Sequence, residues 1–281
     1  MRYGLPVQSL YTHLVDDAAL FPPGNAPMPE AVAGHRAAAA GQDAWLTGPF
    51  LCPTSRLEEL GGQLETGDRF ELGLIVDGGP GVLPAALGAV REDPRLMLSM
   101  VEIPLPKGTD PVPGAHQVLA ALPDGVPAYV ELPRQPGWED ALDAVAAAGK
   151  GAKLRAGGVR SDLFPSVAEV AAFVQACVQR NVPFKCTAGL HHAVRYVDES
   201  TGFTHHGFLN ILVATCRAVM GKDDLVTVLT TTDESYLANA ARAVDEATAR
   251  SARSSFVSYG SCSLAEPIAD LTRLKLLGGR E

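Results

Sequence analysis

Short apolar runs recur along the chain at nearly even spacing, and this rhythm constrains the fold more than any other feature. They occupy 44–51, 70–76, 96–103, 127–132, 151–156, 182–187, 224–230 and 255–260, with successive starts 24 to 42 residues apart. A strand, a helix and two loops need roughly 30 residues, the size of a βαβ unit. Nearly continuous apolar character is what parallel strands covered by helices require. The segments between them carry helical periodicity. Trp138, Ala141, Leu142 and Val145 fall on one face, with Gly149 as a stop. Ser166 and Glu169 form a capping box ahead of Val170, Ala171 and Val174, and Ser263 and Glu266 form another before a helix expected to reach Leu277. Phe208, Ile211, Leu212, Thr215 and Val219 share a face of 207–220.

Eight such units predict the α/β class and a single (β/α)8 TIM barrel over 44–281. A doubly wound open sheet is the rival, but eight units in this length close more naturally. Residues 1–43 read as an N-terminal extension whose helix 29–40 caps the barrel bottom. Within it, Asp16-Asp17 followed by Pro22-Pro23-Gly24 reads as an ordered loop packed on the barrel or as part of its mouth.

Composition excludes several classes of function. The net charge of −9 over 281 residues argues against a general nucleic-acid or anionic-membrane surface. No apolar run approaches the roughly 18 residues of a membrane span. The first twenty residues lack a secretory signal's apolar stretch, so a cytoplasmic location is expected. Five cysteines without a CxxC imply neither a disulfide framework nor a zinc ribbon. Cys52, Cys186 and Cys262 fall at or near strand ends, but no partner pattern makes one a nucleophile. The basic residues divide into 17 Arg and 6 Lys, so a lysine inside an apolar strand asks for a reason.

In a barrel of this kind the working residues sit at the C-terminal ends of strands. Glu102 ends the run VEIPL and Glu131 the run VELP. Lys153 and Arg155 alternate in KLRAGG, Lys185 and Thr187 in FKCTAG, and Tyr259, Gly260 and Ser261 end the last run. Strand side chains alternate between faces. The outer face must pack on helices, so Lys153, Arg155, Lys185 and Thr187 are expected to point inward with the two glutamates. A purely structural ion network is the competing account. Burial among like charges depresses a lysine pKa and yields the neutral amine that a nucleophile needs. Lys185 is therefore expected to be neutral, with the glutamates pairing chiefly with Lys153 and Arg155.

Lys185-Cys186-Thr187-Ala188-Gly189, on the sixth run, resembles the Lys-x-Ser/Thr-x-Gly signature of deoxyribose-phosphate aldolase-like class I aldolases. Gly260-Ser261-Cys262-Ser263 is similar to the Gly-x-Ser-Ser turn of that family. The resemblance covers about ten residues. It implies a lyase in which Lys185 forms a Schiff base with a substrate carbonyl, while Gly260 and Ser261 seat a phosphate or carboxylate. The family's second lysine, on the seventh strand, has no counterpart in Asp224–Thr232; Lys153 is the candidate for that part.

Four of the seven histidines, His191, His192, His205 and His206, fall in the longest interval between runs, a lid-sized loop carrying Gly189. Acid–base or substrate-binding roles are open to them. A divalent metal shared with Glu102 or Glu131 is a second option, but neither HxH nor HExxH spacing is present. Gly78-Gly79-Pro80-Gly81 lacks a nucleotide fingerprint, although the neighbouring Asp77 could face the site. The expected function is an aldolase-like lyase acting on a small, anionic carbonyl metabolite without an organic cofactor. The alternatives are a metal-assisted isomerase, lyase or hydrolase using the histidine loop, and a non-catalytic anion-binding barrel. Neither nucleic acid nor membrane is an expected partner, and a homo-oligomer is left open.

Overall fold

Parallel strand pairing runs without a break around a closed cylinder in a computed structural model that describes residues 7–277. The strands are β1 (Val15–Asp17), β2 (Thr47–Pro53), β3 (Phe70–Ile75), β4 (Leu96–Pro104), β5 (Ala128–Glu131), β6 (Gly151–Arg155) and β7 (Phe184–Thr187). A small hairpin, β8 (Tyr196–Val197) and β9 (Thr204–His205), lies outside the barrel, and β10 (Phe256–Ser261) closes it. Each strand from β1 to β7 pairs with the next, β7 pairs with β10, and β10 pairs with β1. The chain folds as a (β/α)8 TIM barrel.

Helices α1 (Met28–Ala40), α2 (Leu57–Gln63), α3 (Leu83–Glu92), α4 (Pro111–Leu119), α5 (Trp138–Ala147) and α6 (Val167–Arg180) follow the first six strands. The Ser166–Glu169 capping box is reciprocal in α6. The stretch 161–180 is long and apolar enough to cross a membrane by length and composition. Here it ends in α6, whose Val170, Phe173, Val174 and Cys177 are buried. Phe173 meets Phe184 of β7 edge to face and stacks on Trp138 of α5.

Several assignments differ from expectation. The barrel has eight strands, but 224–230 is not among them. Leu225–Thr230 forms helix α8, with Leu225, Val228 and Leu229 buried at i, i+3 and i+4, a helical period within an apolar run. Four helices in succession separate β7 from β10: α7 (Phe208–Val219), α8, α9 (Glu234–Arg242) and α10 (Glu246–Ser255). The missing strand is β1, inside the supposed extension. It escapes a pattern reading because it is three residues long and two of them are acids. A boundary at 43/44 therefore cuts through the barrel. Helix α1 is the wall helix of the first unit, not a bottom cap: its His35 packs against Phe50 and Phe70 and hydrogen-bonds Asp17 on the outer face of β1. The last helix, α11, spans Ala265–Arg273 rather than reaching Leu277. The Ser263 hydroxyl accepts from the Glu266 N–H at 3.2 Å, but the expected capping box is not completed, because the Ser263 N–H donates to the Ser261 hydroxyl instead.

Glycines make room where large side chains cross the barrel interior. A Cβ at Gly73 would collide with Leu51 and press on Met100, and one at Gly151 would meet the Tyr129 ring. Leu51, Met100, Tyr129 and Ala18 form a small apolar cluster.

Candidate active site

Register and alternation together decide which polar groups enter the barrel. Lys153 is paired with both Glu131 and Lys185, and Lys185 with Ser258. Six charges on five strands form an alternating ladder. Asp16 Oδ2 lies 2.6 Å from Lys185 Nζ, which is 2.5 Å from Glu102 Oε1. The other Glu102 oxygen is 2.6 Å from Lys153 Nζ. Lys153 is also 3.1 Å from Glu131 Oε2, and Glu131 Oε1 accepts from Arg155 Nε at 2.9 Å. Three carboxylates thus balance three cations. Glu102, Glu131, Lys153, Arg155 and Lys185 all converge, as the strand alternation predicts. Asp16 is the member that sequence reasoning missed.

The ladder is graded in depth. Asp16, Lys185, Glu102 and Lys153 are buried, the Glu131 side chain is 16% exposed, and that of Arg155 is 43% exposed. Lys185 sits at the sealed end, with the Met100 sulfur 2.8 Å from its amine and the Tyr129 ring centroid at 5.4 Å. Ser258 donates to Asp16 Oδ2 at 2.7 Å, whereas Asp16 Oδ1 has no hydrogen-bond partner among the described residues. Gly48 is what lets that carboxylate in, since a Cβ there would overlap Oδ1. Below it, Arg253 donates to the Thr12 and Phe256 carbonyls and closes the floor; burial lowers its pKa to about 10.

Electrostatics correct the expectation of a neutral Lys185. Burial alone would lower its pKa, but Asp16 and Glu102 outweigh that and raise it, so the resting amine is charged. Lys153 is raised in the same way by Glu102 and Glu131. Burial opposes ionisation of Glu102, yet the two lysines bring its pKa down to about 2. Glu131 is lowered by Lys153 and Arg155 against its burial. Asp16 stays above the ordinary range, because burial exceeds the pull of Lys185 and Ser258. Glu102 does not leave Lys185 to itself; it grips both lysines.

Other candidates divide by strand face. Thr187 and Gly260 face inward, and a Cβ at Gly260 would approach Leu51 and Thr187. Tyr259 faces outward, stacked on Phe208 of α7 with ring centroids 5.1 Å apart, so it lies on the helix side. Ser261 is also on that face, and its hydroxyl donates to the Ser263 carbonyl within its own turn. Gly189, at φ 73°, lets the chain pass against Gly157. Asp77 is bound by Thr54 and Ser55 on the exposed rim.

The histidine loop is pinned rather than free to swing. The Ala193 N–H donates to Asp270 of α11, and the Arg195 N–H donates to Asn210 of α7. His191 lies 3.3 Å from Glu266, and His192 lies 3.2 Å from Asp270. His205 belongs to β9 and meets the Gly189 carbonyl; His206 bonds the Pro165 carbonyl and Arg195. Burial lowers the pKa of both. Among the described residues no three His, Cys, Asp or Glu side chains gather closely enough to hold a metal.

Fold and site together define a TIM barrel with a charge-balanced interior ladder opening at the C-terminal rim. No family model and no curated protein matches the chain. A solved structure of Xanthomonas albilineans dihydropteroate synthase, in complex with indole-2-carboxylic acid and 6-chloroguanine, is similar at 14% identity and a TM-score of 0.42. That match covers 94% of this chain and 92% of the other, and is too loose to bear on chemistry. The corrected strand count changes the aldolase resemblance, because Lys185 lies on the seventh barrel strand and Lys153 on the sixth.

Proposed function

We propose that this barrel is an enzyme, an aldolase-like lyase acting on a small carbonyl compound of oxo-acid or sugar-phosphate type, and that its reactive amine is Lys153 rather than Lys185. The observation that carries this reading is the seat of Lys153 between a buried carboxylate, Glu102, and a partly exposed one, Glu131. Lys185 is shielded below it and serves as a fixed cation. Lys153 is the lysine that a ligand entering past Arg155 meets first.

A ligand that excludes water penalises both charges of the Lys153–Glu131 pair and favours the neutral pair. Glu131 then takes the ammonium proton. The neutral amine adds to the carbonyl carbon, and the carbonyl oxygen recovers the proton to give a carbinolamine. Loss of water, with Glu131 shuttling protons, yields the iminium. The Glu131 carboxylate next takes the proton of a hydroxyl on the β carbon. The Cα–Cβ electron pair flows into the iminium, and the β-carbon fragment leaves as an aldehyde. The enamine is protonated at Cα by Glu131 before water hydrolyses the iminium and restores the amine. Arg155 offers its guanidinium to an anionic group beside the carbonyl, and Thr187 and Gly260 line the same face.

The complete pairing of the six charges favours one other reading, a non-catalytic barrel that binds an anion or is merely held together by its ions. Borohydride reduction in the presence of pyruvate, acetaldehyde or glyceraldehyde 3-phosphate, followed by peptide mass mapping, separates the two. An adduct on Lys153, absent in Lys153→Arg with the fold intact, is the expected result. An adduct on Lys185 would move the role there. No adduct with any of these carbonyls would leave the non-catalytic reading.

A further inference from the structure

At the rim, a cavity of about 220 Å³ opens beside Glu131, between the β4–α4 and β5–α5 loops. Its walls are stiff: Pro104, Pro106 and Pro133 line it, each with a fixed φ. A dry cavity of ~150 Å³ accommodates benzene, so this one holds roughly eight or nine non-hydrogen atoms by the same measure.

The two charged residues lining it differ in kind. Glu131, at the inner end, is neutralised by Lys153 and Arg155. Lys107 is exposed and has no carboxylate partner among the described residues. The cavity therefore runs from a compensated charge to an uncompensated cation. In a chain of net charge −9, that cation is a local attractor for anions. Leu105 and Leu132 also line it, which suits a short methylene stem leading to the charged end of a ligand.

We infer that this cavity seats the far end of the substrate, so that the site takes a short carbonyl compound with a terminal carboxylate or phosphate, separated from its carbonyl by a few methylenes. The carbonyl end reaches Lys153 past Glu131, and the anionic end stops at Lys107. This inference rests on the rim being the substrate mouth, as proposed above. Lys107 is a binding residue here and takes no part in proton transfer.

The test uses ligands without a carbonyl, so that it does not depend on Schiff-base chemistry. Binding of 5-hydroxypentanoate, 3-hydroxypropyl phosphate and the neutral pentane-1,5-diol is measured by calorimetry on the whole protein. The wild type is expected to bind at least one of the two anions about fivefold or more tighter than the diol, and the preferred anion identifies the end-group. Lys107→Glu should weaken that anion about tenfold and leave the diol unchanged. Lys222→Glu, the same charge change elsewhere on the surface, should alter neither. Absence of anion binding to the wild type, or equal effects of the two variants, would overturn the inference. Anion binding that depends on Lys107, without trapping at Lys153, would sink the lysine chemistry and leave this seat standing; trapping without such binding would do the reverse.

Discussion

Glu102 Oε1 lies 2.5 Å from the Lys185 amine, while its other oxygen holds Lys153. One carboxylate therefore joins two buried cations from neighbouring strands. Removing its charge strands both. Glu102→Gln should cost about 3–5 kcal/mol of stability, the scale for breaking a buried ion pair. Glu131→Gln, nearer solvent, should cost less than half of that. Urea denaturation of the two variants checks the order, and equal losses would contradict a ladder graded in depth.

Stability should depend on pH in a shape set by these shifts. Glu102 falls from an ordinary 4.5 to about 2. Its contribution, about 3 kcal/mol, is present above pH 4.5 and lost as pH drops toward 2. Asp16, raised by burial, works in the opposite sense and softens that limb. The lysines are raised above 10.5; their contribution is complete below that pH and disappears as pH climbs through the raised values. Buried His205 and His206, lowered from 6.5, contribute above pH 6.5 and lose this as pH falls. Burial also raises all five cysteine thiols above 9.0, so the unfolded chain ionises first and stability falls as pH climbs through that value. Unfolding free energy should thus be flat only from about pH 7 to 8, decline gently below 6.5 and steeply below 4.5. Denaturation at a series of pH values measures this, and a maximum near pH 4 would contradict it.

Gly48→Ala should act through Asp16. The added methyl group overlaps the carboxylate and pushes it off Lys185, at an expected cost of about 1–3 kcal/mol. Combined with Asp16→Ala, which empties the space, its effect should shrink. A double-mutant cycle with additive losses would show that the two residues act separately.

His206 should prove structural. Its Nε2–H donates to the Pro165 carbonyl at 2.7 Å, which leaves Nδ1 to accept from Arg195 at 3.2 Å. That assignment is the neutral tautomer. His206→Ala should cost about 1–2 kcal/mol with borohydride trapping unchanged. A midpoint above 6.5 for His206 in an NMR titration would refute the tautomer.

From the sequence alone, the barrel followed from spacing and alternation, because a period near 30 and doubly apolar strands admit few closed arrangements. Five of the six ladder charges were legible for the same reason: Glu102, Glu131, Lys153, Arg155 and Lys185 stand on the inward parity of runs whose other face must be apolar. Only the tertiary structure identified the sixth. Asp16 belongs to a strand of three residues, too short to show a period, and becomes a strand by pairing with β2 and β10, 32 and 244 residues away at Thr47↔Val15 and Gly260↔Asp16. The same closure removed 224–230 from the barrel, because β10 reaches β7 directly and Leu225, Val228 and Leu229 gain more from α7 and the wall than from a sheet with no vacant place. Protonation was likewise decided in three dimensions. Like charges on adjacent strands suggested a neutral Lys185, but a lysine's pKa depends on the atoms within a few ångströms of its nitrogen. There the fold supplies two carboxylates, one of them from the far end of the sequence.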